Sequence, residues 1–197
     1  MNVLSVKNSP LFQKKLISKS VVLKEKKPCE CNVFELDKKQ DYDYFQKLQH
    51  DRNWRRAKFL KEMDEDLQRD LSYERVFVLE TKDKNCLGYI CIDDFERENT
   101  KQIAYIETCP RYAGKNNKKT YKYIGNALLA FAVQFAQENC ADKVTVPYVV
   151  SKSKRFYFKS GFKKTMPVFD GEVQLLSKKF DTFLKRHNKK TKAKKLS

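Results

Sequence analysis

The chain has 197 residues and a formal net charge of +17, from 42 Lys and Arg against 25 Asp and Glu. This length suits one domain with some spare chain and excludes two full-sized domains. The longest apolar run, residues 127–133, is far too short to cross a bilayer, so we predict no membrane segment.

Much of the excess positive charge lies near the two ends of the chain. Residues 1–31 hold seven Lys and two Glu, and residues 178–197 hold nine Lys or Arg and one Asp. We therefore predict a basic N-terminal extension over 1–31, a folded domain over 32–180 and a basic C-terminal tail over 181–197. Only nine of the 42 basic residues are Arg, which is preferred for bidentate phosphate recognition, so a solvated tail and a nucleic-acid contact both stay open.

The six cysteines favour a reducing compartment. They are spread through apolar stretches, and nothing at the N-terminus resembles a secretory segment. We therefore expect reduced thiols and a cytoplasmic protein. Cys29 and Cys31 lack the spacing of a zinc knuckle and no second ligand pair accompanies them, so we predict no metal site.

The first half of the chain predicts a strand, two helices and a three-stranded meander. Residues 31–36 form a short strand-like segment, and apolar residues recur at helical spacing between Tyr42 and Leu71. The polar stretches between the next three strands have the length of hairpin loops. These antiparallel strands are predicted over residues 75–81, 87–93 and 102–109.

The second half alternates helices and strands. A strand–helix–strand unit after a meander requires one parallel pair of neighbours. The fold class is therefore α/β (mixed α+β), with a mixed, mostly antiparallel sheet and helices on both faces. The predicted elements are a helix over 125–139, a strand over 143–150, a helix over 153–160 ending at Gly161, and strands over 162–166 and 173–180.

The start of the helix at Gly125 has the features of an anion site. A helix N-terminus carries unpaired N–H groups and partial positive charge, and a glycine lets a phosphate approach the backbone. Residues 108–137 contain five basic residues and no acidic one, which suits a diphosphate. The alternative is a core helix that begins at Gly125 beside solvated lysines. Neither the Walker nor the dinucleotide-binding glycine pattern is present.

A second motif follows that helix in chain order. Lys122-Tyr123-Ile124-Gly125-Asn126-Ala127 is followed by Phe156-Tyr157-Phe158-Lys159-Ser160-Gly161-Phe162. With both motifs in this order, the chain resembles the GNAT superfamily of acyl-CoA N-acyltransferases. The resemblance implies a sheet that splays between its fourth strand, 102–109, and its fifth, 143–150, with acetyl-CoA in the gap.

The resemblance implies transfer of an acetyl group from acetyl-CoA to a primary amine by direct attack on the thioester. The acceptor is a small molecule or a protein amino group, and the enzyme is a monomer or a homodimer. Two alternatives stay open. One is acetylation of an RNA-linked amine such as aminoacyl-tRNA, and the other is a catalytically inactive binding protein with this fold.

The resemblance also assigns site residues. Tyr157 occupies the position of the general acid, and Glu107 is one candidate for the base, beside Asp93, Asp94 or no dedicated base. Strand amides near Cys109 would stabilise the oxyanion. Two departures from the family pattern are Lys122, in place of Arg or Gln, and Val150, in place of Asn. The residues implied to bind acetyl-CoA are Thr108, Cys109, Lys122, Tyr123, Ile124, Gly125, Asn126 and Ala127.

Overall fold

The computed structural model describes residues 15–25, 27–37, 44, 47–48, 74–95, 99–112, 120–165 and 172–192. Nine strands and three α-helices have described ranges, and Tyr44, Lys47 and Leu48 are helical in addition. The strands are β1 Lys15–Lys24, β2 Lys27–Leu36, β3 Glu74–Thr81, β4 Cys86–Phe95, β5 Thr100–Thr108, β6 Tyr121–Lys122, β7 Lys143–Val146, β8 Lys163–Lys164 and β9 Val173–Leu176. The helices are α1 Ile124–Glu138, α2 Ser151–Lys159 and α3 Phe180–Lys192, the last preceded by a 3-10 turn at Ser177–Lys179.

The described strands form one sheet in the order β6-β1-β2-β3-β4-β5-β7-β9-β8. Strands β3, β4 and β5 are the predicted meander, and their pairings are antiparallel. Strands β5 and β7 are parallel, with Thr100–Gln102 opposite Lys143–Thr145. The mixed, mostly antiparallel sheet predicted from the element order is therefore confirmed.

The central strands are apolar on both faces. In β3, Phe77 and Leu79 belong to a core cluster that includes most of α1, whereas Val76 and Val78 belong to a second cluster with the helical residue Leu48. Successive strand residues point to opposite faces, so a strand that is buried on both sides reads as a continuous apolar run. That pattern is why β3 and β4 could be predicted from the sequence.

Helix α1 covers one face of the sheet and is itself almost wholly buried. Phe131 and Phe135 pack on Phe77, with ring centroids 4.8 and 5.4 Å apart. Gly88 of β4 lets α1 approach, because a Cβ at this position would lie 2.8 Å from Leu128 Cδ1. The absence of charge in the body of α1 follows from this burial on several sides.

Several predicted boundaries differ from the structure. Strand β7 ends at Val146 because Pro147 lacks the N–H that would continue the ladder, although β-branched residues follow. The last strand ends at Leu176, and α3 places Phe180 and Phe183 in the core at 2% and 6% exposure. In the described part of the chain, no helix is long and apolar enough to cross a membrane.

The predicted extension and tail each contain an element of the fold. Strand β1 lies within 1–31 and pairs with β2 along its length, and α3 lies almost entirely within 181–197. The alternation in β1 is weak because Val22 and Leu23 are its only fully buried residues, and lysines mask the helical spacing of α3. Apart from Tyr44, Lys47 and Leu48, which are helical, the two helices predicted over 42–71 lie outside the described residues.

Candidate active site

A cavity of about 240 Å³ lies where β5 and β7 are no longer paired. Their parallel pairing covers Thr100–Gln102, whereas β5 runs on to Thr108 and stays paired with β4 on its other edge. Residues from both strands and both following helices line the space. They are Ile103, Ala104, Tyr105, Ile106, Thr108, Gly125, Val146, Tyr148, Val149, Val150, Ser153, Phe156 and Tyr157.

The N-terminus of α1 opens on this cavity. Tyr123 precedes the helix in the left-handed conformation, with φ 66° and ψ 21°, and no side-chain hydrogen bond caps the helix. The first intrahelical bond runs from the Ala127 N–H to the Tyr123 carbonyl, at 2.9 Å. Helix geometry leaves the N–H groups of Ile124, Gly125 and Asn126 without an intrahelical acceptor, and a left-handed residue before them forms an anion-binding concavity. The amide of Ala127, which the motif had included, is taken by the helix itself.

Gly125 keeps this part of the cavity open. An added Cβ would lie 3.6 Å from Phe156 Cζ and 3.8 Å from Thr108 Oγ1, which are ordinary contact distances. Among the described residues, Gly161 is the only glycine with a positive φ. Neither packing nor backbone conformation therefore requires glycine at position 125. The lack of a side chain instead leaves space beside the free amides.

A second helix N-terminus meets the same cavity. Val150 is the N-cap of α2, without a side-chain cap, and both Val150 and Ser153 line the space. Neither α1 nor α2 has an acidic residue in its first turn, and no carboxylate lines the described part of the cavity. Two helix dipoles thus direct positive potential into one pocket. The sequence prediction included Val150 only as a departure and missed Ser153, because local patterns do not show that the two helix starts converge.

Tyr157 lies in the wall of the cavity. Its side chain is 4% exposed and packs edge-on against Phe156 and Phe162, with centroid distances of 5.1 and 5.6 Å. Burial raises the pKa of Tyr157 above its ordinary value of 10.0, because the charged phenolate would lose its hydration. The hydroxyl therefore holds its proton throughout the neutral range.

The predicted residues of β5 separate between the two faces of the sheet. Thr108 lines the cavity together with Gly125 and Tyr157. Glu107 is not among the lining residues, and its Oε2 accepts a hydrogen bond of 2.7 Å from the Tyr89 hydroxyl. Cys109 is buried in the second core cluster, and its N–H donates to the Leu87 carbonyl at 2.9 Å. The amide of Cys109 is therefore not available for an oxyanion.

The alternative bases lie toward the other end of β5. Asp93 accepts a hydrogen bond of 3.1 Å from Gln102, and Asp94 pairs with Lys101 and lies 3.8 Å from Arg75. Neither aspartate lines the cavity. Lys122 is half-buried in β6, opposite Leu23 of β1, and it is not a lining residue either.

In the described ranges, no group of three or more His, Cys, Asp and Glu side chains could hold a metal ion. The chemical groups that converge in the cavity are instead amides of two helix starts, hydroxyls and the part of β5 that lies beyond its pairing with β7. Such a surface can hold an anion and pair with an extended amide-containing chain.

Solved structures match this chain, whereas no family model and no curated protein does. A mutant form of the spermidine/spermine N-acetyltransferase from Vibrio cholerae matches with a TM-score of 0.54 at 16% identity, over 77% of this chain and 96% of that one. A dodecameric spermidine N-acetyltransferase from the same organism matches with a TM-score of 0.52 at 16% identity, over 76% and 95%. A GNAT-family acetyltransferase from Staphylococcus aureus gives 0.48 at 14% identity, over 75% and 99%.

Identities this low establish the fold and not the substrate. The two Vibrio cholerae structures are matched over nearly their whole length. The resemblance that the two motifs predicted is thus confirmed at the level of the fold, and the chain has the fold of the GNAT acetyltransferases.

Proposed function

We propose that the protein is an N-acetyltransferase that moves an acetyl group from acetyl-CoA to a primary amine. The observation that carries this proposal is the uncapped N-terminus of α1, which opens on a cavity beside the part of β5 that no longer pairs with β7. A diphosphate needs the first feature and an extended, amide-containing arm needs the second. The GNAT-like fold supports the combination.

The residues present fit this coenzyme. The N–H groups of Ile124, Gly125 and Asn126 would hold the diphosphate, and the space that a Cβ at Gly125 would fill lets it approach. Thr108 and the edge of β5 would hold the pantetheine arm. Acetyl-CoA supplies a thioester, whose acyl carbon forms the new N–C bond while the C–S bond breaks and a proton passes from nitrogen to sulfur.

Tyr157 is the proposed general acid: its hydroxyl would donate a hydrogen bond to the leaving sulfur as the C–S bond breaks, and the proton that ends on sulfur is the one that the amine loses. Its hydroxyl is protonated at neutral pH, and the residue lines the cavity. The acceptor amine must in turn lose a proton, which costs a free amine of pKa 10.4 about 4 to 5 kcal/mol at pH 7. Glu107, Asp93 and Asp94 all lie outside the cavity lining, so we favour deprotonation through water without a dedicated carboxylate from these positions.

The acceptor is a primary amine on a small molecule or a protein. The Vibrio cholerae enzymes of the same fold act on spermidine, a polycation. The described part of the present cavity contains no carboxylate, and two helix N-termini face it. The described lining thus offers no carboxylate to pair with a polyamine, and we do not carry spermidine over to this chain as its acceptor. We retain the predicted cytoplasmic location and the monomer or homodimer as proposals.

Two further hypotheses remain as alternatives. The acceptor amine could be linked to RNA, or Lys122 and Val150 could mark a binding protein without activity. Measured turnover would distinguish an enzyme from a binding protein without activity. Acceptors should therefore be screened by release of free thiol from acetyl-CoA, with spermidine, neutral amines and aminoacyl-tRNA as three arms.

Calorimetry with acetyl-CoA tests the site itself. Gly125→Glu places a carboxylate beside the free amides, so we expect binding to be lost. Gln134→Glu is the matched control, because it makes the same change of charge on an exposed position of α1, nine residues further on. The control should keep the dissociation constant within about a factor of two, since the effect of a helix terminus fades within a turn. Undetectable binding to the unmodified protein would reject the proposal.

A further inference from the structure

The outward face of α2 carries a row of cations beside the cavity. Lys152, Arg155 and Lys159 are exposed at helical spacing, and Phe158 on the same side is 41% exposed. The rise of an α-helix places the three cations along about 10 Å. Val150 and Ser153, at the start of this helix, line the cavity. We call the four exposed residues Lys152, Arg155, Phe158 and Lys159 the α2 face.

Nothing acidic balances this charge nearby in the sequence. Residues 143–165 contain seven Lys or Arg and no Asp or Glu. Lys152 lies in the first turn of α2, where the helix dipole disfavours a cation, and the Val150 N-cap provides no side-chain cap. Local helix stability would favour acidic residues and a polar cap here. The sequence instead keeps positive potential at the rim of the cavity.

An exposed aromatic side chain stands in the wall of the cavity, three residues before α2 begins. Tyr148 is 90% exposed and also lines the cavity. A tyrosine ring in this position buries almost none of its apolar surface in the fold, so packing does not explain it. A flat ring beside a row of cations is the combination that binds single-stranded nucleic acid, in which bases stack and phosphates pair with Lys and Arg.

We propose that the α2 face and Tyr148 form a docking surface for single-stranded nucleic acid at the rim of the cavity. The phosphates pair with Lys152, Arg155 and Lys159, and an unstacked base lies on the Tyr148 ring. A duplex does not offer that base, because its bases stay stacked. An anionic membrane is a poorer fit, since the α2 face has one aromatic side chain and no continuous apolar stripe to insert. The importance of this surface for catalysis rests on the proposed acetyl transfer, but the binding does not.

Fluorescence anisotropy with a labelled oligouridylate of about 12 nucleotides tests the proposal on the full chain. The test variant combines Lys152→Gln, Arg155→Gln and Lys159→Gln. It should bind the oligonucleotide about tenfold or more weakly near 100 mM salt. The slope of log affinity against log salt should fall by about 2, at 0.7 for each phosphate contact. Tyr148→Ala should weaken binding about fivefold or more without changing that slope.

The matched control removes the same charge elsewhere. This control combines three substitutions of exposed residues in the 3-10 turn and α3: Lys178→Gln, Lys179→Gln and Lys185→Gln. Its affinity for the oligonucleotide should stay within about threefold, and the slope of log affinity against log salt should not change. Three outcomes would each overturn the proposal. The two triple variants could lose affinity equally, the protein could bind polyglutamate or anionic vesicles as tightly as the RNA, or free coenzyme A could displace the RNA. The binding assay uses no acetyl-CoA, so its failure leaves the proposed acetyl transfer standing, and failure of turnover leaves the docking surface standing.

Discussion

Removing the hydroxyl of Tyr157 tests the mechanism most directly. Tyr157→Phe deletes one oxygen and keeps the ring, so the edge-on contacts with Phe156 and Phe162 should persist. The residue is almost fully buried, and the variant fills the same space without creating a cavity. We therefore expect the free energy of unfolding to change by less than about 1 kcal/mol.

The pKa of Tyr157 limits what its proton can do. A phenol at its ordinary pKa of 10 lies about 1.5 units above a thiol of pKa 8.5, so full transfer to the thiolate is uphill by at least about 2 kcal/mol. Burial raises the pKa of Tyr157 further. The hydroxyl is then most useful as a hydrogen-bond donor to the sulfur as charge develops, and its loss should lower kcat by at least about tenfold, or 1.4 kcal/mol.

The assay combines turnover with binding. Release of free thiol gives kcat, and calorimetry gives the dissociation constant for acetyl-CoA, which should stay within about twofold because Tyr157 is proposed to act in the transition state. The rate should rise with pH as the acceptor amine loses its proton, without an alkaline fall from Tyr157 below about pH 10. Tyr121→Phe, a buried tyrosine that does not line the cavity, is the control. Full activity of Tyr157→Phe, or an equal loss of coenzyme affinity, would refute the assignment.

Three other changes test the fold around the site. Gly88→Ala places a Cβ 2.7 Å from the Glu107 carbonyl oxygen of β5 and 2.8 Å from Leu128 Cδ1 of α1, so it should cost about 1 to 3 kcal/mol by displacing both elements, with weaker coenzyme binding; unchanged urea denaturation would show that neither element depends on this close approach. Val150→Asn supplies the missing cap of α2 and should add about 1 kcal/mol in the same measurement, and no gain would mean that the helix start is already satisfied. Burial is the main cause that raises the pKa of the Cys31 and Cys86 thiols from 9.0 to about 12, so above pH 9 the unfolded chain loses protons that the folded chain keeps. Stability should then fall by about 1.4 kcal/mol per pH unit for each thiol, and a variant with both cysteines replaced by alanine that showed the same fall between pH 8 and pH 10 would contradict this cause.

The parts of the fold that were predicted correctly carry local signals. The meander follows from apolar strands separated by hairpin-length polar stretches, and α1 follows from an uncharged apolar stretch that begins at a glycine. Gly161 lies just after α2 with φ 97°, as expected for a glycine that ends a helix. Each of these signals depends on residues within a few positions of one another, so one sequence is sufficient to read them.

The features that the sequence does not show share a different origin. Strand β1 joins β2 and also pairs with β6, whose residues lie about a hundred positions further along the chain, and no local pattern encodes that pairing. The amphipathic spacing of α3 becomes apparent only when α1 offers a partner for Phe183 and Phe180. The β-branched residues after Pro147 suggested a longer strand, whereas the missing proline amide ends the ladder.

By itself, the sequence determined which chemical groups this protein has for an anion and an acyl donor: a glycine at a helix start, a tyrosine in an aromatic motif, and a region without acidic residues. The tertiary structure decided which of them meet. Strand alternation separates Thr108 from Glu107 onto opposite faces, and the packing of α1 on the face of Thr108 brings that residue next to Gly125 at the cavity. The convergence of two helix N-termini on that cavity likewise depends on where β5 and β7 stop pairing, which is set by contacts between residues far apart in the chain.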